Sequence, residues 1–391
     1  METDLFYTSE KRARQSLEHR EPDRIPFDMG ATSVTGIHRH AYLRLREYLG
    51  LPSSNCELYN EIGQIARVDN DIVEKLEIDV AGVTSTVPPH SKSVPRKEGN
   101  YLYLQDEWGI TWRMPAENGL YFDLFASPLA AAESVAEVEH HTWPDPEEAA
   151  RFEGLKETTR YIRRNERRAF VMRSLCAGIW EMSLWLCGFE KFFMDMVMNK
   201  KFAHAVLEKI TELKMRYWSS VLKVVDGDFL IVGEADDLGT QSSQLCSIDL
   251  YREMISPYHK RLFRHIRREA RREVYIFLHS CGAIRPFISD LIEEGVDILN
   301  PIQVNAEGMD PGGLKREFGK ELTFWGGGVD TQKILPFGNP REVREETKRR
   351  IETLAPGGGF VFSTVHSIQA DVPPENIVAM WETLQEYGVY Q

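Results

Sequence analysis

The chain has 391 residues, of which 42% are hydrophobic and 27% charged, a balance that excludes disordered, collagenous and disulfide-scaffold proteins. Its 47 Lys and Arg against 60 Asp and Glu leave a formal net charge of −13, which opposes non-specific binding to nucleic acid or to an anionic membrane surface. Residues 1–15 are polar with no apolar core, no run approaches the roughly 18 apolar residues of a membrane span, and the five cysteines are odd in number and scattered. A cytoplasmic protein with individual thiols is therefore expected.

Along the chain, residues 1–24 form a helical N-terminal extension ahead of the first of eight short apolar, β-branched or aromatic runs. The runs lie at 25–29, 78–83, 170–175, 229–233, 274–278, 297–301, 322–326 and 360–364, with helical stretches between them. Eight parallel strands with intervening helices close a (β/α)8 TIM barrel. A doubly wound open sheet shares the alternation, and the barrel is the predicted fold, α/β in class, with 1–391 as one domain. The interval between the second and third runs is too long for one crossover helix, so residues 85–168 are expected to hold an insertion. Within it, 101–114 reads as two aromatic-rich strands around Gln105-Asp106-Glu107, a β-hairpin near the barrel mouth. Residues 178–225 read as helical, with Trp180, Met182, Trp185, Phe189, Phe192, Phe193 and Met196 mostly facing the core and those near Trp180 lining a pocket. The Arg-rich stretches 160–168 and 261–272 end outer helices, where cations favour the helix C-terminus and stay solvated.

A barrel of this kind places its site where strands end. After the fourth run come Glu234, Asp236, Asp237 and Gln241, after the fifth His279 and Cys281, and after the sixth Gln303 and Asn305. Asp330 follows the seventh run, and His366 and Gln369 follow the eighth. His279 and Cys281 stand two apart, so in extended backbone both can reach one ion, and imidazole nitrogen with thiolate sulfur suits zinc. His366 is the natural third ligand and a candidate acid–base group. By strand alternation, Glu234 and Asp236 should share a face and meet the metal or its ligands, while Asp237 supports the loop toward Gln241. Gln241, Gln303, Asn305, Asp330 and Gln369 are the expected substrate-binding groups, with Asp237. The same residues also fit a metal-free arrangement: His279 hydrogen-bonded, Cys281 a small buried apolar group, His366 acting without metal. No Walker A loop, GxGxxG fingerprint, GxSxG elbow or HExxH helix is present.

Four stretches together resemble the uroporphyrinogen decarboxylase family: Glu21-Pro22-Asp23-Arg24-Ile25-Pro26, Asp236-Asp237-Leu238-Gly239-Thr240-Gln241, His279-Ser280-Cys281-Gly282 and Pro373-Pro374-Glu375-Asn376-Ile377. The resemblance implies a (β/α)8 barrel and one of two activities, cofactor-free porphyrinogen decarboxylation or zinc-dependent methyl transfer with corrinoid proteins. The family's decarboxylases carry an Arg-Gln-Ala-Gly-Arg type segment after the first strand, whose arginines hold substrate carboxylates. This chain has Asp28-Met29-Gly30-Ala31-Thr32-Ser33-Val34-Thr35-Gly36 there. The methyltransferase branch uses His-x-Cys after the fifth strand and a Cys near the last. His279 and Cys281 match the former, and His366 stands where the latter is expected. The expectation is thus a zinc-dependent methyltransferase that moves a methyl group between a protein-bound corrinoid (cobalamin), supplied by a separate protein docked at the barrel mouth, and a small-molecule thiol, ether or amine. The alternatives are a metal-independent decarboxylase or lyase acting on an acidic substrate, and a non-catalytic corrinoid or tetrapyrrole binding protein.

Overall fold

In the computed structural model, which describes residues 8–225, 227 and 229–390, seven parallel strands lie side by side in chain order. They are Val80–Val83, Ala169–Arg173, Phe229–Ala235, Glu273–His279, Ile298–Asn300, Thr323–Trp325 and Phe360–Val361, the second to eighth predicted runs. The first run completes the ring without forming a ladder. Pro26 has no N–H to give, and the N–H of Phe27 is taken by Asp79 Oδ2 at 2.8 Å. What remains is one parallel bridge from Phe27 to Phe362 on one side and a bond from the Asp79 N–H to the Phe27 carbonyl (2.9 Å) on the other. The segment thereby closes a (β/α)8 barrel between its last and second strands.

Helices cover the outside and side chains fill the inside, so both faces of each strand are apolar. Val171, Phe229, Ile231, Phe277, Ile298, Trp325 and Val361 form the inner cluster, and Leu230, Val232, Ile276 and Leu278 belong to the larger core under the helices. Of the N-terminal extension, residues 1–7 lie outside the described residues; the helix Ser9–Leu17 sends Ala13 and Leu17 into the inner cluster. Bonds from Arg12 Nη1 to Asp79 Oδ1 (2.6 Å) and from Ser16 Oγ to the Phe360 carbonyl (2.7 Å) hold it where strands begin, opposite the mouth.

The insertion is wider than a hairpin. Tyr101–Gln105 and Thr111–Pro115 pair as predicted, around a turn in which Asp106 accepts from the N–H groups of Trp108 and Ile110 and from Trp112 Nε1. Two further strands, Arg96–Glu98 and Asp123–Ala126, make a four-stranded antiparallel sheet. The former is exposed throughout and has no apolar alternation to betray it. Residues 178–225 form the helices Ile179–Cys187, Phe189–Met198 and Lys200–Val224, in which Trp180, Met182, Phe192 and Met196 are buried while Phe189 is exposed. The Arg-rich stretches are less solvated than expected: Arg267 binds Asp297 (2.6 Å) and the Gly295 carbonyl, and Arg163 binds Glu10 (3.0 Å). Among the described residues, no helix is long and apolar enough to cross a membrane.

Candidate metal centre at the barrel mouth

In the fifth strand, Phe277 belongs to the inner cluster, and His279, two residues on at the strand end, projects into the mouth. Its Nδ1 lies 2.6 Å from Asn300 Oδ1, and Asn300 Nδ2 in turn donates to the Trp325 carbonyl at 2.7 Å. The amide orientation is fixed by that second bond, so Nδ1 carries the proton and Nε2 presents a lone pair. Nε2 is 3.6 Å from Asp237 Oδ1. Cys281 donates its backbone N–H to Asp237 Oδ1 (2.9 Å) and its thiol to Oδ2 (3.4 Å). The turn after it needs glycine: Gly282 has φ +91°, and a Cβ there would meet the Gly239 carbonyl carbon at 2.5 Å. The result is a nitrogen, a sulfur and an oxygen donor all within 4.8 Å of one another. Burial, then Asp237, pushes the Cys281 thiol up, so the protein alone keeps the proton that a divalent cation would displace.

His366 faces this group, its ring centroid 5.5 Å from that of His279 at an interplanar angle of 68°. Its Nδ1 lies 3.0 Å from Ser367 Oγ. Burial and then His279 push it down to about 4, against the opposing pull of Asp237, so the imidazole is neutral at ordinary pH. Of the three ligands expected from sequence, His279 and Cys281 lie in the compact donor group and His366 stands beside it. Asp237 is the carboxylate in that group.

The facing expected of the carboxylates is reversed. Glu234 and Asp236 point away from the mouth, because Glu234 continues the outward series of Leu230 and Val232. Glu234 is buried against the helix Lys200–Val224, where Lys214 Nζ approaches to 2.8 Å and Trp218 Nε1 donates at 2.6 Å. Asp236 accepts the N–H groups of Trp180 (2.9 Å) and Glu181 (2.8 Å), at the start of the helix Ile179–Cys187, and binds His259 Nε2 at 2.8 Å. The strand ends at Ala235, and Asp237, one residue past its outward neighbour, turns into the mouth.

The expected substrate groups form a linked amide network across neighbouring loops. Gln303 Oε1 accepts the Gly282 N–H (2.8 Å) and its Nε2 donates to Gln241 Oε1 (2.7 Å). Asn305 Nδ2 reaches Gln332 Oε1 (2.7 Å) and Asp330 Oδ1 (3.4 Å). Gln369 is apart from this network: it bonds Ser367 and lines a groove of about 550 Å³ with Gln332, Thr331, Leu120 and His40. Three residues escaped the sequence analysis. Asn300 sits inside the predicted strand 297–301 and was given no role there. Glu181, raised well above the usual carboxyl range by burial and by Asp237, stands in the first turn of the helix that follows the third strand, and that position was its signal. Arg173 closes the third strand and points inward.

Residues 107–387 match the family model described as uroporphyrinogen decarboxylase (URO-D). Among curated proteins, uroporphyrinogen decarboxylase from Alkalilimnicola ehrlichii is 23% identical over 73% of this chain and 74% of its own length, and that from Vibrio campbellii is 23% identical over 73% and 76%. Among solved structures, a methyltransferase from Methanosarcina mazei superposes with a TM-score of 0.63 over 98% of this chain and 99% of its own, at 16% identity, a likeness of fold.

Proposed function

The chain belongs to the uroporphyrinogen decarboxylase family, and on that premise we propose that it is a zinc-dependent methyltransferase, moving a methyl group between a corrinoid on a separate protein and a small-molecule thiol, ether or amine. The observation that carries this reading is the Asp237, His279 and Cys281 donor group at the strand ends. Its mix of imidazole, thiolate and carboxylate suits zinc, and three protein ligands leave one position open to substrate. Zinc bound there would hold a thiol as thiolate at neutral pH or polarise a methyl ether or amine.

The remaining roles belong to the chain's own residues. Asn300 holds the His279 ring so that Nε2 faces the centre. Asp237 positions the Cys281 backbone and thiol. His366, held neutral, offers one acceptor nitrogen to the substrate without adding charge. The network of Gln241, Gln303 and Asn305 borders the opening on which a corrinoid protein would dock. The fold likeness to a methyltransferase accommodates this reading. The curated relatives carry the decarboxylase name, so the competing reading is metal-free decarboxylation of an acidic substrate. Elemental analysis of anaerobically purified protein, with a methylcobalamin demethylation assay over thiols and methyl ethers, tests the proposal. About one zinc per chain and acceptor-dependent demethylation are expected; protein that neither retains zinc nor demethylates would overturn it.

A further inference from the structure

Arg173 is a cation inside the barrel with no ion pair among the described residues. It ends the third strand on the same face as Ala169 and Val171, both members of the inner cluster, so its side chain enters the barrel lumen at the mouth. The fully buried arginines, Arg12, Arg46 and Arg151, each bind a carboxylate. The half-buried Arg173 guanidinium has neither an ion pair nor a hydrogen-bond acceptor among the described residues, and it lies over the ring of Tyr59, 5.9 Å from Cζ to centroid. The Tyr59 hydroxyl is already committed to the Ala31 carbonyl at 3.2 Å. Asp28, the buried acid of the first-strand end, is likewise committed, to the Ala31 N–H and to Trp325 Nε1.

Between this guanidinium and the metal centre the fourth strand offers only small inward residues. Arg173 pairs in register with Gly233, and His279 with Ala235, so the inward positions of the fourth strand between them carry no side chain and a methyl group. Both residues are partly exposed although they lie within a strand. The third and fifth strands stand two strand spacings apart, about 10 Å. A forked cation and the Asp237, His279 and Cys281 group therefore stand about a small molecule's length apart at the mouth.

We infer that Arg173 binds the carboxylate of the small-molecule substrate, whose reactive heteroatom is then delivered to the metal centre. The reactive end rests on the methyl-transfer reading above; the binding of the acid does not. A guanidinium fork matches a carboxylate in two parallel hydrogen bonds. One unpaired guanidinium among the described residues, in a mouth that also holds Asp237, favours a monoanion over a dianionic phosphate.

Calorimetric titration of the full chain with 3-mercaptopropionate and 4-methoxybenzoate, each against its neutral amide, tests this without turnover. The acids should bind about 10- to 100-fold tighter than the amides, the span of a charge-assisted hydrogen bond. Arg173→Met should bring the ratio toward one, and Arg173→Lys, which keeps the charge but loses the fork, should fall between, with melting temperatures confirming that both variants fold. Two results would overturn the inference: no preference for either acid in the wild type, or a preference that survives in folded Arg173→Met. A sulfonate analogue bound as tightly as the acid would overturn the carboxylate assignment. Because metal content is measured separately, loss of zinc chemistry and loss of acid binding remain distinct outcomes.

Discussion

Glu234 and Asp237 are near neighbours in sequence with opposite surroundings. Glu234 is buried outside the strand layer, accepts from Ser174 Oγ and Trp218 Nε1, and neutralises Lys214, whose ammonium is fully enclosed and also donates to the Ala177 carbonyl at 2.7 Å. Removing the charge of one partner in such a pair leaves the other buried alone, at a cost of about 3–5 kcal/mol. Glu234→Gln should therefore lower stability by that order in urea unfolding while the folded protein keeps its zinc. Asp237→Asn removes a donor from the mouth and nothing from the core. It should unfold close to wild type while zinc affinity falls at least about 10-fold, read by competition with a chelator. Zinc loss in Glu234→Gln with retention in Asp237→Asn would return the metal-facing role to the outward face.

The helix Ile179–Cys187 shows how one element couples the site to its support. Its first N–H groups are satisfied by Asp236, which can approach because Gly178 has no side chain: a Cβ there would lie 2.2 Å from both the Ala235 carbonyl oxygen and the Asp236 carboxyl. Behind Asp236, on the helix Ser256–Glu269, His259 is buried between Asp236 and Glu294, with the Tyr251 hydroxyl 3.1 Å from its Nδ1. Burial lowers the imidazole, but its bonds to the two carboxylates outweigh this and raise it to about 10. An unfolded imidazole titrates near about 6.5, so the folded state binds the proton more tightly between those values. This contribution to stability is whole below about pH 6.5 and is lost as pH rises toward 10. Wild-type urea midpoints should fall across that window more steeply than those of His259→Gln; parallel profiles would show that His259 is not charged in the fold. The strands around these helices were legible because parallel barrel strands are short, apolar on both faces and separated by helical stretches. That same two-sided apolarity hid which face was inward: alternation groups Glu234 with Asp236 but does not tell which side they take, and both find their partners outside the strand layer. His279 and Cys281 were legible from spacing and position; Asn300 and Arg173 were not, because a polar residue at the end of an apolar run carries no mark of the direction it faces.

At the scale of the whole molecule, charge bears on the activity named in the curated relatives. A porphyrinogen with eight carboxylates needs several fixed cations, and the family's decarboxylases place arginines after the first strand. The corresponding segment here, 28–36, has none. It begins instead with Asp28, 1% exposed and pushed up to about 6 by burial, although the Ala31 N–H and Trp325 Nε1 favour its ionised form. The mouth adds Asp237, and the chain as a whole carries −13. Against these, Arg173 supplies the one guanidinium seen unpaired at the lumen among the described residues, enough for one carboxylate. An octa-anion entering this barrel would leave most of its charge desolvated without partners, which costs more than one charge-assisted pair returns. Incubation with uroporphyrinogen should therefore yield no coproporphyrinogen at an enzymatic rate, by chromatographic product analysis under anaerobic conditions. Turnover at roughly 1 per second or faster would show that cations outside the first-strand segment suffice for the tetrapyrrole, and would place the chain among the decarboxylases of its family.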